Sequence, residues 1–89
     1  MNKLTVRLHK DFEKQLAKLS KKRRDKVIDT VELFLDDPTE PSLPNHALIA
    51  EWSGYRSISA GGDLRLHFKV LDSDVVYFVA VGTHSQLYG

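Results

Sequence analysis

Seven consecutive apolar residues, Val75 to Val81, limit what this chain can fold into. A strand that is apolar on both faces is stable only between neighbours, so the run reads as a buried central strand of a sheet. Directly after it comes Gly82-Thr83-His84-Ser85-Gln86-Leu87-Tyr88-Gly89. A histidine where a central strand stops, with an aromatic four residues on, is well placed to present chemistry at a sheet edge. An ordinary polar residue at the start of a C-terminal turn would have the same spacing.

The rest of the chain supplies partners for that strand. Leu4, Val6 and Leu8 alternate with Thr5 and Arg7, which predicts a half-buried strand. Phe12, Leu16 and Leu19 then fall at helical spacing, predicting a helix over Lys10 to Leu19. Ser20 is a natural N-cap for a second helix that carries Val27, Ile28, Val31, Phe34 and Leu35 on one face. That helix ends near Asp36-Asp37 because Pro38 disfavours helix in the residue before it. The short link predicts an antiparallel helical hairpin. All three prolines lie in the loop 37–45.

Beyond the loop, Ala47 to Trp52 is a short apolar, strand-like segment. Tyr55 to Ala60 and Leu64 to Leu71 flank the hairpin turn Gly61-Gly62-Asp63. Leu64, Leu66, Phe68 and Val70 are expected to face the core, and Arg65, His67 and Lys69 the open side of the sheet. A three-residue turn sets Ser57 and Ser59 beside the polar row and buries Ile58, whereas a two-residue turn exposes Ile58; its burial favours the first register. The fold class is α+β: one domain over residues 1–89, ordered β-α-α-β-β-β(-β), with an antiparallel twisted sheet and the two N-terminal helices on one face.

The chain has 89 residues and no cysteine, which excludes disulfides, a thiolate nucleophile and cysteine metal sites. No signal-peptide core or membrane-length run is visible, so a cytoplasmic protein without a membrane partner is the expectation. The net charge of +1 conceals an asymmetry: residues 1–26 carry ten Lys/Arg against three acids, and residues 27–89 three against nine. Such segregation fits a polyanion-binding face, and it also fits a merely solvated helix surface. No phosphate-cradling glycine loop or nucleophile elbow is present. The histidines lack close ligand spacing, so no metal and no cofactor are expected.

The polar candidates at strand and loop ends are His46, Arg56, Asp63, Arg65, His67, His84 and Tyr88. RNA cleavage through the 2′-hydroxyl needs a base for that hydroxyl, a cation for the phosphorane and an acid for the 5′-oxygen. Histidine suits the first and last roles, and arginine's planar fork suits the second.

Three segments and one aspartate, taken together, resemble the RelE/ParE superfamily of bacterial toxin–antitoxin ribonucleases, most closely its YafQ-like branch. They are Leu43-Pro44-Asn45-His46-Ala47-Leu48, Trp52-Ser53-Gly54-Tyr55-Arg56, Asp63 and Gly82-Thr83-His84-Ser85-Gln86-Leu87-Tyr88. The resemblance spans essentially the whole chain. It implies a toxin that cleaves mRNA in the ribosomal A site and is neutralised by an antitoxin, so its partners would be the ribosome, mRNA and that antitoxin. By position it implies His84 as general acid or base, with His46 and Asp63 assisting proton transfer or holding RNA. Tyr88 would stack on a base, and Arg56 and Arg65 would bind phosphate or the transition state. His67 and Ser59 would contact RNA on the open face of the sheet, and Lys21, Lys22, Arg23 and Arg24 would rest on ribosomal RNA. Two positions depart from the branch: Ser59 stands where a further histidine is usual, and Leu64 where a tryptophan is usual. The shared fold keeps a ParE-like inhibitor of DNA gyrase open as an alternative, against which His46 and His84 argue, and the Ser59 departure keeps open a catalytically weakened antitoxin-binding homologue.

Overall fold

The computed structural model describes residues 4–39, 45–49, 52–72 and 74–88. Strand β1 (Thr5–Leu8) leads into helix α1 (Lys10–Ala17) and helix α2 (Lys21–Asp36). Strands β2 (His46–Ala47), β3 (Arg56–Ser59), β4 (Leu64–Asp72) and β5 (Val75–Thr83) follow, and helix α3 (His84–Tyr88) ends the chain. They form one five-stranded sheet in the order β1-β5-β4-β3-β2. The apolar run is therefore interior, as its composition requires. The loop predicted over 37–45 falls largely outside the described residues.

Neighbouring strands from β2 to β5 are antiparallel, and β1 joins β5 in parallel, pairing Thr5 with Val75 and Leu8 with Phe78. The sheet is thus mixed rather than wholly antiparallel. A parallel pair needs a long crossover, and the helical hairpin between β1 and the remaining strands supplies one. Local signals fix both helix starts. The His9 side chain accepts from the Asp11 amide at 2.9 Å, and Ser20 Oγ accepts from the Arg23 amide at 3.3 Å.

The hairpin has the three-residue turn. Ser59 pairs with Arg65, Ile58 with Leu66 and Ser57 with His67. Gly61 and Gly62 take φ of 96° and 55°, a left-handed region that side chains resist. Ile58 is accordingly buried.

All four phenylalanines meet between helices and sheet. Phe34 packs on Phe68 at 4.9 Å between ring centroids, Phe12 on Phe78 at 5.7 Å and Phe68 on Phe78 at 5.6 Å. Val27 and Thr30 complete the buried face of α2, whereas Ile28 is 47% exposed, contrary to its expected place on that face. Thr30 takes the inward position and satisfies its hydroxyl on the Lys26 carbonyl at 2.8 Å. Of the strand expected over Ala47 to Trp52, Ala47 lies in β2, Ile49 is solvated and residues 50 and 51 lie outside the described residues. Val6 and Leu8 are more exposed than a half-buried strand implies, because β1 is an edge strand.

One irregularity reorganises the sheet. His67 pairs with Ala80, and the next residue, Phe68, pairs with Phe78, so Val79 is an extra residue in β5. Before it, Val76 and Phe78 face the helices; after it, Val81 does, while Ala80 and Gly82 face the opposite, concave side. Beyond Phe78, β1 no longer accompanies β5, and the Val81 amide donates instead to Gln15 Oε1 of α1 at 2.9 Å. Gln15→Met removes that acceptor from a part-buried amide. We expect a loss of about 1–3 kcal/mol in urea unfolding, with the far-ultraviolet circular dichroism unchanged.

Candidate active site

The site is built around α3. Thr83 Oγ1 accepts from the Gln86 amide at 3.2 Å, and Gln86 Oε1 accepts from the Thr83 amide at 2.8 Å. Thr83-x-x-Gln86 is thus a reciprocal capping box that turns the chain from strand to helix at His84. Gly82 makes the fold-back possible, since a Cβ there would lie 2.9 Å from Gln86 Oε1 and 3.5 Å from Leu87 Cδ2. The C-terminal turn expected from sequence is therefore a short helix with His84 exposed at its start.

Three rings hold α3 to the concave face. The Tyr88 hydroxyl lies 3.1 Å from His67 Nε2, and its ring packs on His84 at 4.5 Å between centroids. Trp52 meets His67 edge-on at 4.4 Å and donates from its indole nitrogen to the Leu87 carbonyl at 3.3 Å. His67 is consequently 0% exposed. This corrects the expectation that His67 lies on an open sheet face where RNA can reach it. Strand alternation gave the face rightly, but Trp52 and Tyr88 cover it. Tyr88 is 41% exposed, with its hydroxyl on His67.

Burial pushes the His67 pKa down to about 4, with the nearby charge of His84 a smaller cause. His67 is therefore neutral at physiological pH. Its Nδ1 has no hydrogen-bond partner, nor has Ser57 Oγ, its buried cross-strand neighbour. The polar row His46–Ser57–His67 crosses β2, β3 and β4 in register.

His46, Ser57, Ser59 and Arg65 line one small cleft of about 110 Å³ on this face. Arg65 Nη1 donates to Ser59 Oγ at 2.9 Å and to the Gly62 carbonyl at 3.2 Å, which fixes its guanidinium over the hairpin. Arg65 pairs with Gly82, two residues before His84, so the arginine and the α3 histidine share one end of the sheet.

Other sequence candidates lie elsewhere. Arg56 is in register with Phe68 on the helix side of the pleat, where its Nε donates to Asn45 Oδ1 and its Nη2 to the Asn45 carbonyl at 3.2 Å. It anchors the segment carrying His46. Asp63 lies in a separate cleft of about 600 Å³, with Lys22, Arg23 and Lys26 around it. Lys21 pairs with Asp25 at 2.9 Å, and Arg24 Nη1 donates to the Leu19 carbonyl at 3.3 Å, closing the end of α1. The basic run thus divides into two residues engaged locally and two facing the hairpin. Among the described residues no group of three or more His, Cys, Asp or Glu is placed to hold a metal ion.

Sequence reasoning set Ser57 beside the polar row and quoted Trp52 in a family segment, but named neither as a site residue. The capping box at Thr83 and Gln86 was a usable signal for α3. Trp52 carried no comparable one, because its role depends on contact with His67 from a distant strand.

The buried His67 has a measurable consequence. The unfolded chain binds its proton near pH 6.5 and the folded chain only near pH 4. The unfolded state therefore holds more protons in that window, and stability falls as pH drops from about 6.5 to 4. This term amounts to about 3 kcal/mol. Denaturant titrations at pH 7 and pH 4 should show a smaller acid loss for His67→Gln than for the unmodified protein. Equal losses would refute the burial.

Comparison with known proteins gives one answer. The family described as bacterial toxin of type II toxin–antitoxin system, YafQ, matches residues 4–89. A Haemophilus influenzae protein that carries the YafQ toxin name is 30% identical, over 93% of this chain and 90% of its own. The crystal structure of Escherichia coli YafQ superposes with a TM-score of 0.77 at 26% identity, covering 97% of this chain and 99% of that one. YafQ in the Escherichia coli DinJ–YafQ toxin–antitoxin complex gives a TM-score of 0.74 at 26% identity, over 99% and 100% of the two chains. An archaeal RelE–RelB complex from Pyrococcus horikoshii shares the fold at 17% identity, with a TM-score of 0.74 over 96% and 99%.

Proposed function

The chain belongs to the YafQ family of type II toxin–antitoxin toxins, and from that membership we propose that it is a metal-independent, ribosome-dependent endoribonuclease acting on mRNA. The observation that carries this reading is the convergence of an exposed histidine and a fixed arginine at one end of the sheet. His84 opens α3, and Arg65 is tethered opposite Gly82 with His46 in its cleft.

In this mechanism one histidine takes the proton from a ribose 2′-hydroxyl. The resulting oxygen attacks the adjacent phosphorus, and the developing negative charge falls beside the Arg65 guanidinium. The P–O5′ bond breaks, the second histidine protonates the leaving 5′-oxygen, and a 2′,3′-cyclic phosphate remains. His84 and His46 are the two proton carriers. His67 is a positioning residue: neutral and buried, it holds Tyr88, and Tyr88 holds the ring of His84.

Lys22 and Arg23 give the first turn of α2 positive charge where the helix dipole disfavours it, and no acid stands in that turn. A surface that accepts that cost is suited to a polyanion, and ribosomal RNA is the one we assign. The antitoxin partner we propose presents an acidic, partly disordered segment that folds onto this basic surface.

The test is primer extension on a reporter mRNA in a reconstituted translation system. The unmodified protein should give ribosome-dependent cuts, and His84→Ala should reduce them by about 10²–10⁴. Arg65→Ala should cost about 10²–10³ with melting unchanged. Reversing charge at Lys22 and Arg23 should weaken ribosome binding and flatten its dependence on salt. No cuts from folded, antitoxin-free protein would overturn the nuclease reading. Inhibition of DNA gyrase by the same sample would replace it.

A further inference from the structure

The concave face carries a second feature at the end away from the hairpin. Arg7 pairs with Tyr77, and Tyr77 pairs with Lys69. Lys69 Nζ lies 5.4 Å from the centre of the Tyr55 ring. The order across β1, β5, β4 and the residue that precedes β3 is therefore cation, ring, cation, ring. Arg7 and Lys69 are exposed and both tyrosines half-buried, so the row is accessible.

Two further rings continue it. His9 lies 5.8 Å from Tyr77 between ring centroids, and Trp52 meets Tyr55 edge-on at 5.7 Å. A cleft of about 400 Å³ opens among His9, Trp52, Tyr55, Tyr77 and Val79, with Asp11 on its rim. Asp11 is the acid in this lining, and its carboxylate lies 3.7 Å from His9 Nδ1. Trp52 joins the cleft to the candidate active site, since it also packs on His67.

We propose that this row is a subsite for single-stranded RNA. Bases would stack on Tyr77 and Tyr55, and the phosphates between them would sit against Arg7 and Lys69. Aromatic rings on a sheet surface hold unstacked bases by their faces, and interleaved cations hold the backbone. Neighbouring strands lie about 4.8 Å apart, so the two tyrosines stand about 10 Å apart with a cation between them. An acidic peptide would use the cations but has no need of ring faces. The subsite rests on the endoribonuclease reading, because it gives the RNA flanking the scissile position a path from His84 across Trp52.

The chain has a single tryptophan, which makes Trp52 an internal reporter. The experiment titrates a 2′-O-methyl heptanucleotide, which lacks the attacking hydroxyl, and follows Trp52 emission at two salt concentrations. The unmodified protein should bind with quenching. Tyr77→Phe should bind within twofold of it, and Tyr77→Leu about tenfold more weakly. Arg7→Ser with Lys69→Ser should lower the slope of log affinity against log salt by about two, which keeps the test alive if Tyr77→Leu fails to fold.

Equal affinity of folded Tyr77→Leu and unmodified protein would overturn the subsite. So would a Tyr77→Leu protein that loses the antitoxin but keeps the oligonucleotide, because the row would then belong to the protein partner. Ring-dependent binding in a protein that cuts no mRNA would support the subsite and overturn the nuclease reading alone. Cutting with no ring-dependent binding would do the reverse.

Discussion

The structure turns on one extra residue, Val79, in the central strand. A strand without it would keep one set of alternate residues against the helices along its whole length. With it, Phe78 enters the phenylalanine cluster while Ala80 and Gly82 emerge on the concave side. Small residues there leave room above the sheet, and Trp52, Leu87 and α3 occupy it. Tyr77, on the other side of the bulge, faces the same concave surface, where no such cover is found among the described residues. One bulge therefore gives the face a closed end, with the candidate active site, and an accessible aromatic end. Bulges next to functional sites commonly re-aim side chains in this way.

The closed end depends on a polar group that is costly to bury. His67 loses its hydration and gains one hydrogen-bond partner, Tyr88, while Nδ1 and the adjacent Ser57 hydroxyl gain none. An apolar residue would pack there without that desolvation cost. What an apolar residue cannot do is fix Tyr88 by its hydroxyl, and with it the His84 ring. The arrangement exchanges stability for the position of a surface histidine, which is the pattern expected where local rules are broken at a functional site.

Much of this was legible in the sequence, and the failures have definite causes. The hairpin register followed from Gly61-Gly62-Asp63 and the need to bury Ile58, because a one-residue slip would have turned every side chain to the wrong face. Ser20 and Pro38 marked the limits of α2 through backbone chemistry that acts locally. The bulge was not legible, since an unbroken apolar run contains no polar residue to show where the facing reverses. The cover over His67 was not legible either: alternation assigns a face, and only tertiary contact from Trp52 decides whether that face is wet. Ile28 points outward and Thr30 inward because residues near the edge of a helical stripe are decided by the shape of the opposing sheet, not by polarity. Of the candidate site, the sequence grouped His46, Arg56, Arg65 and His84 as polar residues at loop and strand ends, and it did not show that strand parity sends Arg56 to the other side of the sheet.

The position of Ser59 alters what its departure from the family pattern means. A serine cannot carry a proton near neutral pH, so a general acid or base at this position is gone. Its hydroxyl nevertheless accepts from Arg65 Nη1 and from the Gly61 amide, at 2.9 Å and 3.2 Å. Those two bonds tie the guanidinium to the hairpin turn. A preorganised cation is worth most where negative charge develops, because it needs no reorientation as the charge appears. The proposed mechanism thus has no proton carrier at Ser59, and has a cation tied to the hairpin in one cleft with His46. In the proposed mechanism, His46 and His84 handle the protons, and Ser59 acts through Arg65 on the phosphorane.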